Sequence, residues 1–252
     1  MAINIGVGSF SGTSMGVGVG GSGRIEAGRP AGASPYVLNY LVVGGGGNAG
    51  GACGCGGSYH GGGGGGGGVV TGTVAVLSGV SYTITIGGAA SPSSMTSTNG
   101  ISIIGLAGGQ GAYPKYNAGG AGGSGGGGSN VGYIGGPGLQ PGQAQSVGPE
   151  GTYNNYGSPS VGVDGGGGTY VTITGSSVLY GEGGRFDTYA SGPANSGKGG
   201  GSLYGAGGTG VVILSVPTGS YPGTSGGSVV TTPANTPGKT ILTFVSSGIY
   251  TA

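Results

Sequence analysis

Gly61–Leu77 reads GGGGGGGGVVTGTVAVL, a run of glycine passing directly into small and β-branched residues. How this junction is read decides the fold. A glycine run alone is a flexible linker, because glycine loses more conformational freedom on ordering than any other residue. The residues that follow argue for order, since Val69–Leu77 carries the two-residue period of a half-buried strand. Collagen is set aside because a third-position glycine repeat with proline is not sustained. The ordered alternative is the polyglycine II helix, left-handed with three residues per turn and no internal hydrogen bonds. Buried runs of that kind must bond neighbouring chain segments through their N–H and C=O groups.

Working outward, further runs occur at Gly44–Gly47, Gly119–Gly128, Gly165–Gly168 and Gly199–Gly201, with Gly207 and Gly208 before a late apolar stretch. Several separate runs are what a bundle needs. In Ala118–Gly128 (AGGAGGSGGGG) the residues other than glycine are Ala118, Ala121 and Ser124, a spacing that predicts one shared edge of a threefold helix. Strands are predicted at Tyr36–Val43, Val69–Leu77, Val80–Ile86, Ile101–Leu106, Thr169–Thr174, Ser177–Tyr180, Val211–Val216, Val229–Thr232 and Thr240–Val245. A loop at Ser78–Val80 predicts a hairpin with Val76 opposite Tyr82 and Val74 opposite Ile84, which gathers the apolar residues on one face. No glycine-free window has helical apolar spacing. The expected fold is therefore all-β or irregular: short antiparallel strands and hairpins combined with a bundle of polyglycine II helices, and no substantial α-helix. Residues 1–35 (INIGVG, MGVGVGG) read as an extended arm, and 36–252 as the glycine-rich domain.

The chain has 252 residues, 76 of them glycine and 13 proline, with only six Lys and Arg against five Asp and Glu. So few basic residues cannot form a counterion-displacing patch, so no nucleic-acid partner is expected. No apolar run reaches membrane-spanning length, and the N-terminus lacks the charged and apolar regions of a signal peptide. Cys53, Cys55 and His60 make an incomplete zinc set and read as packing residues, so neither metal nor cofactor is expected. Catalytic residues are expected to be absent. The carboxylates Glu26, Glu150, Asp164, Glu182 and Asp187 are scattered, Glu182 and Asp187 being placed to pair with Arg185, and there is no nucleophile elbow or phosphate loop.

Four stretches carry a resemblance: YVLNYLVVGGGG (Tyr36–Gly47), VVTGTVAVLSGVSYTITIGGAA (Val69–Ala90), GGTGVVILSV (Gly207–Val216) and TILTFVSSGIYTA (Thr240–Ala252). In this order they are similar to the glycine-rich domain of bacteriophage tail-fibre and related virion proteins. More distantly, the chain resembles the polyglycine-sandwich adhesins that tip the long tail fibres of T-even-like phages. The resemblance implies a virion protein, extracellular with its particle, that is homo-oligomeric and non-enzymatic. It would attach to other virion proteins, in this chain through residues 1–35, and contact a host glycan or outer-membrane protein without inserting into the membrane. The alternative is a head, neck or tail decoration joining subunits without reading a receptor.

Tyr82, Tyr170 and Tyr180 lie in predicted strands and read as core. Tyr113, Tyr116, Tyr133, Tyr153, Asn154, Asn155, Tyr156 and Tyr189 lie in loop-like sequence and are the receptor-binding candidates. Tyrosine and asparagine among glycine and serine combine contact area with adaptable hydrogen bonding at low entropic cost. The competing role for these rings is to cap the glycine bundle. An ice-binding face would need a flat row of Thr, Ala or Ser, and only Ala118–Ser124 hints at one.

Overall fold

The computed structural model describes residues 35–51, 60–114, 116–129, 134–140, 165–186, 188–222, 225–231, 233 and 235–252. The expectations for residues 1–34, Cys53, Cys55, Tyr133, Tyr153, Asn154, Asn155, Tyr156, Glu150, Asp164 and Asp187 lie outside these residues. Among the described residues there are ten strands: β1 (Pro35–Val43), β2 (Val69–Leu77), β3 (Ser81–Thr85), β4 (Ser93–Ser97), β5 (Ser102–Gly105), β6 (Thr169–Val171), β7 (Val178–Tyr180), β8 (Val211–Pro217), β9 (Ser225–Thr231) and β10 (Lys239–Thr251). All strand pairings are antiparallel. Among the described residues there is no α-helix, only a 3-10 turn at Thr218–Ser220.

One sheet of eight strands runs in the order β2-β1-β8-β10-β3-β4-β5, with β9 alongside β10. It curls, so that β1 and β2 come against β4 and β5. Inside the curl lie Leu38, Val42, Val212, Leu214, Leu242, Phe244, Tyr82, Ile84 and Met95. The alternate residues Leu41, Val43, Val211, Ile213 and Ile241 form a second apolar layer on the outer face. The hairpin β6–β7 covers it with Tyr180, Val171 and Ile173. Burial on both faces explains why β1 and β8 read as near-continuous apolar runs where a one-sided strand would alternate.

The expected hairpin between β2 and β3 does not form. β2 pairs with β1, setting Val76 opposite Tyr36 and Val74 opposite Leu38. β3 pairs with β10 and β4. The turn at Ser78–Gly79 is present, but the chain end enters beside it, with Gly79 donating to Ala252 and Ala252 donating to Val80. β10 thus takes the edge of β3 that local sequence assigned to β2. Tyr82 and Tyr180 are buried as expected, but Tyr170 is 71% exposed. It alternates with Val171, which packs onto the outer layer, so Tyr170 faces the other way.

The glycine segments form the second part of the structure. Gly44, Gly47 and Gly50 donate backbone hydrogen bonds to Gly68, Gly65 and Gly62. The acceptor segment donates in turn, Gly62, Gly65 and Gly68 bonding Ala112, Gly109 and Leu106. On another side Gly64 and Gly67 donate to Gly200 and Gly197, while Ser124 and Gly127 donate to Gly66 and Gly63. Each ladder advances three residues per rung, and all of 61–68 is buried. Side chains replace missing backbone partners at a few places: Ser124 Oγ accepts from Gly66 N at 2.7 Å, and Gln140 Oε1 accepts from Leu106 N at 2.8 Å. Ala118, Ala121 and Ser124 do not share one edge, because the chain bends at 123–124. Ser124 is buried while Ala118 and Ala121 are exposed, so no flat row results.

Candidate recognition surface

The ladders fix which end of the glycine segments faces away from the sheet. The rung of Gly44, Gly68 and Leu106 adjoins β1, β2 and β5, and the rung of Gly50, Gly62 and Ala112 is the last of the series among the described residues. Next to that rung lie Gly51, Tyr113 and the turn 201–205, where Gly205 donates to Gly201 and Ala49 to Gly205. This far end carries a group of tyrosines. A Cβ on Gly51 would meet Tyr113 Oη and, at 2.7 Å, a ring carbon of Tyr204, so both rings close over that glycine. Tyr113 and Tyr116 pack edge to face with centroids 6.4 Å apart. Asn117 Oδ1 accepts from Tyr113 N at 2.9 Å and fixes the turn that sets this pair. Tyr189 neighbours Ala190, whose carbonyl accepts from Gly201 at 2.8 Å, placing it beside the same turn. Tyr116, Tyr189 and Tyr204 are 71%, 75% and 67% exposed.

Tyr204 was not singled out by sequence reasoning. Its backbone is unusual: Leu203 and Tyr204 have φ of 74° and 76°. Consecutive L-residues in this region cost about 1–2 kcal/mol each, because Cβ crowds the following carbonyl oxygen. The turn buries Leu203 and leaves Tyr204 outside. The available signal was SLYGA (Ser202–Ala206), a Leu-Tyr pair interrupting two glycine runs too closely spaced for an ordinary loop. Of the other receptor-binding candidates, Tyr113, Tyr116 and Tyr189 are brought to this end.

The electrostatics are sparse. Glu182 pairs with Lys198 at 2.6 Å in place of the expected Arg185. Lys198 lies in the segment that donates to the Glu182 carbonyl through Gly199, so the glycine packing brings the two together. Among the described residues no three His, Cys, Asp or Glu converge, and no helix is long and apolar enough to cross a membrane. His60 packs edge-on against Phe186, with centroids 6.0 Å apart. The perturbed tyrosines sit in the sheet. Burial pushes the Tyr250 hydroxyl well above the usual tyrosine range, and its hydrogen bond with Tyr36 adds to this. Burial also raises Tyr36, against the opposing effect of that same bond.

No protein-family model, curated protein or solved structure matches the chain.

Proposed function

We propose that this chain is a non-enzymatic bacteriophage virion protein, a tail-fibre or adhesin-type component that contacts the host cell surface through tyrosines. The observation that carries the reading is Tyr204, held exposed on a left-handed turn beside Tyr113, Tyr116 and Tyr189 where the glycine segments end. Backbone strain concentrates where a side chain must be presented in one orientation. Tyrosine is suited to presentation because it brings large contact area with few rotatable bonds. We infer that the glycine segments are polyglycine II helices that act as a rigid mount. The three-residue period of their ladders supports this, as does the way a Cβ at Gly46, Gly64 or Gly66 would collide with a neighbouring backbone. The attached ligand would be a host glycan or outer-membrane protein, and the assembled unit a homo-oligomer joined to other virion proteins through residues 1–35.

Labelled protein should adsorb to host cells and compete with the phage for them. A Tyr116→Ala/Tyr204→Ala variant with unchanged melting should do neither. If the intact protein fails to adsorb, the recognition reading is refuted and the scaffold reading stands.

A subunit-joining role without receptor binding is favoured by one feature. β9 pairs with β10 on one side, bonds no other strand among the described residues, and exposes Val229 and Val230. An edge strand with exposed apolar residues is a site for strand addition. Removal of that edge by Val229→Lys would then block assembly and leave adsorption intact.

A further inference from the structure

Gly51 has no side chain, and two tyrosines from distant parts of the chain close over it. From the place a Cβ would take there, Tyr113 Cζ is 2.5 Å away and Tyr204 Cε1 is 2.7 Å away, so both atoms crowd one point. Cε1 is a ring carbon ortho to the hydroxyl, and Cζ is bonded to both ortho carbons of its own ring. The ortho carbon of Tyr204 therefore confronts the hydroxyl-bearing end of Tyr113. The pair is held from both sides. Asn117 Oδ1 accepts from Tyr113 N at 2.9 Å, and the left-handed φ of 74° and 76° at Leu203 and Tyr204 sets the turn that carries the second ring. Tyr116 meets Tyr113 differently, with centroids 6.4 Å apart and planes at 63°, so that an edge faces a ring and not another edge. Tyr204 is exposed and Tyr113 half-buried, which leaves both open to small oxidants.

We propose that Tyr113 and Tyr204 are a dityrosine site, coupled by hydrogen peroxide acting through a haem peroxidase. Each phenol gives up one electron and one proton, and together these reduce one peroxide to two waters. The unpaired electron of each phenoxyl radical spreads onto its ortho carbons. One ortho carbon from each ring combines into a carbon–carbon bond, and the hydrogen on each bonded carbon then moves to the oxygen, restoring both phenols. The product has two hydrogens fewer than the starting chain. Holding the rings together makes the coupling intramolecular and favours it over collision between molecules. The bond would clamp the end of the segment at Ala112 to the turn at 201–205, which are joined to Gly61–Gly68 on different sides. A link between positions so far apart in sequence restricts the unfolded chain, as a disulfide does. The coupling is read in the isolated protein and does not depend on the virion reading, although it would fix two tyrosines of the recognition surface.

The test is oxidation of the purified full chain by peroxide and a haem peroxidase, followed by dityrosine fluorescence and by mass spectrometry of the digested protein. The expected product is a monomer in which the peptides containing Tyr113 and Tyr204 are joined with loss of two hydrogens, formed in a yield that dilution does not lower. Tyr113→Phe and Tyr204→Phe should each abolish the fluorescence of the monomer, while Tyr116→Phe and Tyr189→Phe keep it. Protein unfolded in guanidinium before oxidation should lose the preference for this pair. The linked monomer should melt at a higher temperature than the unmodified chain, and the clamp is overturned if it does not. The site is overturned if joined peptides occur only in covalent dimers or if Tyr113 links to Tyr116 in preference to Tyr204. It is equally overturned if no dityrosine forms while the same solution couples free tyrosine.

Discussion

Replacing Gly64 with alanine tests whether the glycine ladders hold this protein together. Gly64 donates to Gly200 at 2.8 Å and accepts from Gly184 at 2.7 Å, while the Gly47–Gly65 rung beside it closes at 2.8 Å. An added methyl would lie against the Gly47 carbonyl, 2.6 Å from its carbon and nearer still to its oxygen. That obstacle is backbone, so no rotamer relieves it. Ordinary contact begins near 3.4 Å, and the two segments must part by about an ångström, which carries the rung past hydrogen-bonding range. Four bonds are then compromised: the two of Gly64 and the two that Gly47 makes with Gly65 and Gly200. At about 1 kcal/mol net for each, the substitution costs roughly 4 kcal/mol, a large part of the 5–15 kcal/mol typical of a folded domain. Gly88→Ala serves as the control, because its added methyl meets nothing within 4 Å. It should change stability by no more than about 0.5 kcal/mol, with any gain arising in the unfolded chain. Guanidinium unfolding of the three proteins reads both values. A Gly64→Ala protein within about 0.5 kcal/mol of wild type would sink the idea that close backbone contact is the source of stability.

The ladders, the Tyr204 turn and the buried tyrosines each have a further measurable outcome. The amides of Gly62, Gly65 and Gly68 should exchange hydrogen only with global unfolding, and exchange at unfolded-chain rates would contradict the ladders. Tyr204→Gly should raise the unfolding free energy by about 1 kcal/mol by relieving the left-handed strain, while lowering cell adsorption; a loss of stability would place the strain elsewhere. Alkali should destabilise the protein through Tyr36 and Tyr250. Their folded hydroxyls titrate above the usual 10.0, so their contribution is complete below that pH and is lost as pH rises beyond it. Melting scans should therefore be flat to about pH 10 and then fall, and the fall should be shallower in Tyr250→Phe.

The strands were legible because most carry β-branched or apolar residues in runs bounded by glycine. β1, β2 and β8 match their expected limits to within a residue. β4 was missed because SSMTS offers only Met95 as an apolar signal. Its Ser93 is buried through a bond that its hydroxyl accepts from Gly87 N at 3.0 Å, and composition does not announce such a role. The β2–β3 hairpin was lost to a competitor far away in sequence, the end of β10, which a local turn signal cannot weigh. Tyr170 was legible in principle, since it is out of phase with Val171 and Ile173. Tyr204 was legible only as the SLYGA interruption and not as an exposed ring, because its exposure depends on a left-handed turn that sequence favours only with glycine or asparagine. The far end of the ladders could be found only once the rungs gave the segments a direction.

The rung spacing has a consequence for how such a chain can change length. A single residue inserted within 61–68 would put every ladder bond beyond it out of step with the three-residue spacing of the facing segments, aiming each N–H at the wrong neighbour. Three inserted together would restore the phase, provided the facing segments lengthened with them. The ladders can therefore grow or shrink only in triplets, and only in concert. The turns that link the segments carry no such spacing, so single-residue changes in length are tolerated at the tyrosine-bearing end while the ladders stay in phase.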